Sequence, residues 1–177
     1  MTDDSRVGSG SGPVTIYSDG ASRGNPGPAG IGAILLDQNE NVIAEISEGI
    51  GTATNNEAEY IALAKALETA KKLGAKRVRV YTDSELMARQ LTGEYAVRSD
   101  RLRPLAIRVQ ELRRGFESCA ITHVGRAVNS RADELANRGI EADSSQGASA
   151  RTDCCESDLT RAQDGGKIGS SQQEDCV

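Results

Sequence analysis

Hydrophobic residues along the chain change period several times, and each change marks an element. Val14-Thr15-Ile16-Tyr17 is rich in β-branched and aromatic residues and reads as a strand running into Ser18-Asp19-Gly20. Residues 23–30 are crowded with Gly and Pro and read as a loop. Two further apolar runs, 31–36 and 42–50, flank Gln38-Asn39-Glu40-Asn41 and predict an antiparallel hairpin. Residues 56–73 switch to helical spacing, with Ile61, Ala64, Leu67 and Ala70 on one stripe and Gly74 as the stop. Asn56, with Glu59 three residues on, is expected to cap this helix. Residues 77–81 alternate as a strand, 83–91 and 100–114 read as helices, 120–124 as a last strand and 129–140 as a last helix. The order βββαβααβα predicts an α/β fold: a five-stranded mixed sheet with helices on both faces.

The ends differ in composition. Residues 1–12 are Gly/Ser-rich and are expected to form a flexible leader, with one domain over 13–141. Residues 142–177 are polar and acidic, with few large apolar side chains to offset the entropy of ordering, and are expected to be disordered. The 177 residues and 37% hydrophobic content suit one packed domain. No apolar run approaches the roughly 20 residues that span a bilayer, and the N-terminus lacks a basic start followed by an apolar stretch. The expected location is cytoplasmic, without membrane contact. Cys119, Cys154, Cys155 and Cys176 form no C-x-x-C pair and read as reduced thiols.

A net charge of −5 argues against a nucleic-acid partner only until it is divided along the chain. Residues 142–177 hold seven acids and three bases, whereas 71–114 hold 12 bases and five acids. A local basic region of this kind steers polyanions better than the overall charge suggests.

Four acids stand out by position. Asp19 and Asp83 are expected at strand ends, and Glu59 and Asp133 in the first turns of helices, where open α/β sheets place their sites. Taken singly, each has a structural reading as a cap or a helix-dipole partner. Glu59 shares a face with Leu63 and Leu67 and so points inward, unlike its rival Glu57. Crowded carboxylates need compensation, and hard divalent ions such as Mg²⁺ or Mn²⁺ supply it. Two such ions can activate a water and stabilise the leaving oxygen of a phosphodiester.

The run Tyr17-Ser18-Asp19-Gly20-Ala21-Ser22-Arg23-Gly24-Asn25-Pro26-Gly27-Pro28 resembles the opening motif of type 1 ribonucleases H. Thr54-Asn55-Asn56-Glu57-Ala58-Glu59, Thr82-Asp83-Ser84 and Asn129-Ser130-Arg131-Ala132-Asp133-Glu134-Leu135-Ala136 resemble the other three motifs, in family order and spacing. The resemblance covers about residues 14–141. It implies a ribonuclease H-like fold, two Mg²⁺ ions (Mn²⁺ as substitute) on Asp19, Glu59, Asp83 and Asp133, and hydrolysis of the RNA strand of RNA–DNA hybrids. The products would carry 5′-phosphate and 3′-hydroxyl ends. It also implies that Ser22, Gly24 and Asn25 lie near the RNA strand, Asn55 and Asn56 at the minor groove, and Thr54 near a DNA phosphate.

Two departures qualify the match. Larger members carry a basic, aromatic-rich extension that is absent between residues 92 and 101, so the chain resembles the compact bacterial and archaeal branch, some of whose members also accept double-stranded RNA. Arg98, Arg101, Arg103, Arg113 and Arg114 are the candidate replacements for that grip. Many members also place a His in a loop before the last Asp. Here His123-Val124-Gly125-Arg126 leads to Arg126 as the auxiliary residue, with His123 structural. A monomer suffices for such a site. A non-catalytic hybrid-binding module is the main alternative, and it would be expected to lack a carboxylate. A dinucleotide enzyme is excluded because the glycines of 27–32 precede a strand and do not lead from one into a helix.

Overall fold

The computed structural model describes residues 12–149, with side chains described as far as residue 143. The expected leader, apart from Gly12, and residues 150–177 lie outside the described residues. The elements are β1 (Val14–Ser22), β2 (Gly27–Leu36), β3 (Val42–Ala53), α1 (Asn55–Lys72), β4 (Arg77–Thr82), α2 (Glu85–Thr92), α3 (Leu102–Arg114), β5 (Ser118–His123) and α4 (Arg126–Ser149). This is the expected order, in one five-stranded sheet arranged β3-β2-β1-β4-β5. The hairpin strands β1, β2 and β3 pair antiparallel; β4 joins β1, and β5 joins β4, in parallel.

The β2–β3 turn is held by Asp37, whose carboxylate accepts from the backbone of Asn39 and Asn41 and from the Asn41 amide. That is the local side-chain turn chemistry its sequence offers.

Register shows which helix covers which face. Gly20 lies opposite Ile31, and Asp19 opposite Gly32. Opposed residues share a face and neighbours alternate. A Cβ on Gly20 would strike the backbone of Ala58 and Glu59 in α1, whereas one on Gly32 would strike Ala132 and Ala136 in α4. Helices α1 and α4 therefore press on opposite faces of β1 and β2, and each comes close only because a glycine leaves room. The main core lies under α1, where Ile16, Leu35, Leu63, Leu67 and Val80 are fully buried. α3 packs beside α1 on that side.

Several boundaries differ from expectation. β1 continues through Asp19 to Ser22, because its antiparallel pairing with β2 outlasts its parallel pairing with β4, which stops at Tyr17 opposite Tyr81. The expected 23–30 loop shrinks because β2 begins at Gly27. The cap of α1 is Thr54 with Glu57, not Asn56 with Glu59: Thr54 Oγ1 accepts from Glu57 N, and the Glu57 carboxylate accepts from Thr54 N. α1 begins at Asn55 and α4 at Arg126, so Glu59 and Asp133 both stand in second turns and not first. The same helix runs to Ser149, so the segment beginning at residue 142, expected to be disordered, starts inside a helix.

Candidate active site

Asp19 sits where β1 has outrun β4. Among the described residues no strand pairs on that side of β1 past Tyr17, and the chain leaving β4 turns at Asp83 into α2. Gly20 lets the first turns of α1 descend beside this gap and brings in Glu59. Gly32 does the same for α4 on the other face and brings in Asp133, next to Ala132. The four sequence-selected carboxylates thus converge beside β1 where its pairing with β4 has stopped. Asp19 hydrogen-bonds to Asp133 and feels the charges of Asp83, Asp133 and Glu59.

Their surroundings are specific. Asp83 Oδ1 accepts from Asn129 Nδ2 at 3.0 Å, and the same amide nitrogen donates to the carbonyl of Ser18 at 3.1 Å. Asn129 is buried and ties α4, β1 and the β4–α2 turn together. Arg126 Nε lies 3.6 Å from Asp83 Oδ2 on a side chain that is 96% exposed. Glu59 Oε2 accepts from Ser84 Oγ at 2.5 Å, and Oε1 accepts from Asn55 Nδ2 at 3.0 Å. Ser84 also caps α2 by accepting from Met87 N.

Burial and crowding make ionisation costly here. The Asp19 carboxyl is pushed up to about 8, first by burial and then by Asp83, Asp133 and Glu59. Burial also raises Glu59, opposed by the Ser84 hydrogen bond and by Arg126 and reinforced by Asp83. In the protein alone, Asp19 keeps its proton at neutral pH. The donors are all oxygens, which suits a hard divalent ion and not zinc. Among the described residues no three such side chains close into a ready-made cation cage. Mg²⁺ tolerates this, because it keeps waters and takes substrate phosphate oxygens beside one or two carboxylates.

The two sets of residues proposed to hold substrate flank the carboxylates. Gly27 pairs with Ala53, which sets the 23–26 turn beside the start of α1. Ser22 Oγ donates to the Gly24 carbonyl, Gly24 has φ 118°, and Asn25–Pro26 is cis. Arg23 pairs with Glu141 at 3.0 Å and links this turn to α4. At the head of α1, Asn55 and Asn56 are exposed, while the Thr54 hydroxyl is engaged in the cap.

Three readings change. His123 is not packed: it ends β5 exposed and lines an open cleft with Glu85, Arg89 and Glu94. Arg113 is not free to grip substrate, since its guanidinium donates to the Leu91 carbonyl and to Gln110, and Arg103 pairs with Asp100. Asn129 and Ser84 stand inside recognised motifs, yet sequence reasoning gave them no role. Asn129 lies one helical turn before Asp133 and so shares its face, a signal that was available.

A five-stranded mixed sheet with two glycine-seated helices and four carboxylates gathered beside its central strand defines the ribonuclease H class of α/β fold. Comparison places the chain within it. A family model described as reverse transcriptase-like matches residues 17–139. Ribonuclease HI of Halobacterium salinarum is 47% identical over 130 residues, 73% of this chain and 65% of that protein. Ribonuclease H of Coxiella burnetii is 36% identical over 72% of this chain and 90% of its own length. The crystal structure of the H. salinarum RNase H1 superposes with a TM-score of 0.72 over 74% of this chain and 99% of that one. LC11-RNase H1, solved in complex with an RNA/DNA hybrid, is 39% identical with a TM-score of 0.70, covering 73% and 98% of the two chains. The chain belongs to the ribonuclease H family. It spans just under two thirds of the H. salinarum protein, and 38% of a mycobacterial relative 43% identical to it.

Proposed function

We propose that this protein is an endoribonuclease that hydrolyses the RNA strand of RNA–DNA hybrids with the help of two divalent cations, Mg²⁺ or Mn²⁺. The observation that carries this is the convergence of Asp19, Glu59, Asp83 and Asp133 beside β1 where it outruns β4, with Asp19 held protonated for want of a counter-charge. These four residues are the ones that would hold the ions. When bound, the ions would supply an activated water and stabilise the leaving oxygen. The water oxygen bonds to phosphorus as the bond to the 3′-oxygen breaks, leaving 5′-phosphate and 3′-hydroxyl ends.

The protein's own contribution is position. Asn129 fixes Asp83 against β1, and Ser84 and Asn55 fix Glu59. Arg126 brings a permanent positive charge to the open side of Asp83 and serves as the auxiliary group for product release. Ser22, Gly24 and Asn25 contact the RNA strand, whose 2′-hydroxyls distinguish it from DNA. Thr54, Asn55 and Asn56 meet the hybrid from the α1 side. The relative solved with a hybrid supports this reading.

The protein acts as a monomer in the cytoplasm; among the described residues no helix is long and apolar enough to cross a membrane. Double-stranded RNA is a candidate second substrate. The test is cleavage of matched hybrid, double-stranded RNA and double-stranded DNA with Mg²⁺ and with Mn²⁺. Hybrid should be cut on its RNA strand and duplex DNA left intact; an uncut hybrid would refute the proposal.

A further inference from the structure

Both oxygens of Glu59 are taken by neutral donors, and the two donors differ in kind. Ser84 is half-buried and fixed, because its hydroxyl also caps α2. Asn55 is exposed at the head of α1, and Glu59 is the only hydrogen-bond partner of its amide among the described residues. The amide is therefore free to be drawn away, and the oxygen it holds belongs to a carboxylate proposed above to hold a cation.

We propose that Asn55 couples substrate binding to cation binding: the hybrid takes the Asn55 amide and so frees Glu59 Oε1 for the ion. The inference rests on the hybrid-nuclease reading. In the free protein the Asn55–Glu59 bond competes with the ion. With hybrid bound, the amide donates to a base or sugar acceptor instead, and the competition ends. Linkage requires the converse, so a bound ion releases Asn55 and tightens the grip on hybrid by the same factor. An exposed hydrogen bond of this type sets the competition at about 2- to 10-fold.

The test uses the full chain and three proteins: wild type, Asn55→Ala and Ser84→Ala. Calorimetry measures Ca²⁺ binding to each free protein. Fluorescence anisotropy measures binding of a labelled hybrid with and without saturating Ca²⁺, and the ratio of the two affinities is the coupling. Asn55→Ala is expected to bind Ca²⁺ about 2- to 10-fold more tightly when free and to lose that same factor from the coupling. Ser84→Ala is expected to keep the wild-type coupling, because hybrid does not compete for Ser84. If Asn55→Ala weakens Ca²⁺ and hybrid binding alike and leaves the ratio intact, Asn55 is merely structural and the inference fails. An unchanged free-protein Ca²⁺ affinity also overturns it. Failure of the parent reading looks different, since the wild-type protein itself would then neither bind nor cut hybrid.

Discussion

Replacing Asp19 by Asn should make the cation-free protein more stable while abolishing its activity. The substitution keeps shape and hydrogen-bonding reach, since the new amide can donate to Asp133, and removes the charge that burial and three carboxylates oppose. A carboxyl raised from 3.8 to about 8 binds its proton more tightly in the native than in the unfolded chain. Its contribution to wild-type stability is thus complete below about pH 4 and is lost as pH rises through about 8. At about 1.4 kcal/mol per pH unit, the loss has a ceiling of roughly 6 kcal/mol. Asn does not titrate, so the advantage of Asp19→Asn should be near zero at pH 4 and approach that ceiling above pH 8. Urea denaturation in chelator at about pH 5 and about pH 8.5 measures it. Mg²⁺ should narrow the gap by stabilising only the wild type. A variant no more stable at the higher pH, or one equally favoured at both, would refute the reasoning.

Other outcomes follow from the same contacts. Asn129→Ala strips a buried donor from Asp83 and the Ser18 carbonyl, and should cost about 1–3 kcal/mol in denaturation along with most of the activity. Gly20→Ala pushes a methyl into the backbone of Ala58 and Glu59; a loss of about 1–3 kcal/mol with reduced turnover is expected, and unaltered kinetics would mean that α1 can retreat without moving Glu59. Arg126→Ala should lower kcat under multiple turnover more than in a single-turnover burst, as expected of a group that helps product leave.

The element order was legible because it rests on period and on strands followed by turns, and the four clustered acids because each lies near a strand's break or a helix start, although Glu59 and Asp133 fall in second turns and not first. What escaped depends on pairing between distant segments. Asp19 read as the end of a strand because Ser18-Asp19-Gly20 breaks the apolar run, yet pairing with β2 carries β1 three residues beyond it. Asn56 with Glu59 and Thr54 with Glu57 both offer capping-box spacing, and only the exit from β3 at Ala53 selects Thr54. The roles of Gly20 and Gly32 are invisible until helix backbones lie against them. Asn129 reads as a polar residue at a helix start, and its partners are more than 45 residues away in sequence, at Ser18 and Asp83.

The central claim is that carboxylates gathered where β1 outruns β4 make a cation-dependent nuclease for hybrids. It is tested most directly with a hybrid labelled on its RNA strand, incubated with wild-type protein and with Asp83→Asn, in Mg²⁺ and in chelator. The account predicts RNA fragments with 5′-phosphate and 3′-hydroxyl ends from the wild type in Mg²⁺ alone. Cleavage by Asp83→Asn at the wild-type rate, or cleavage that persists in chelator, would contradict it.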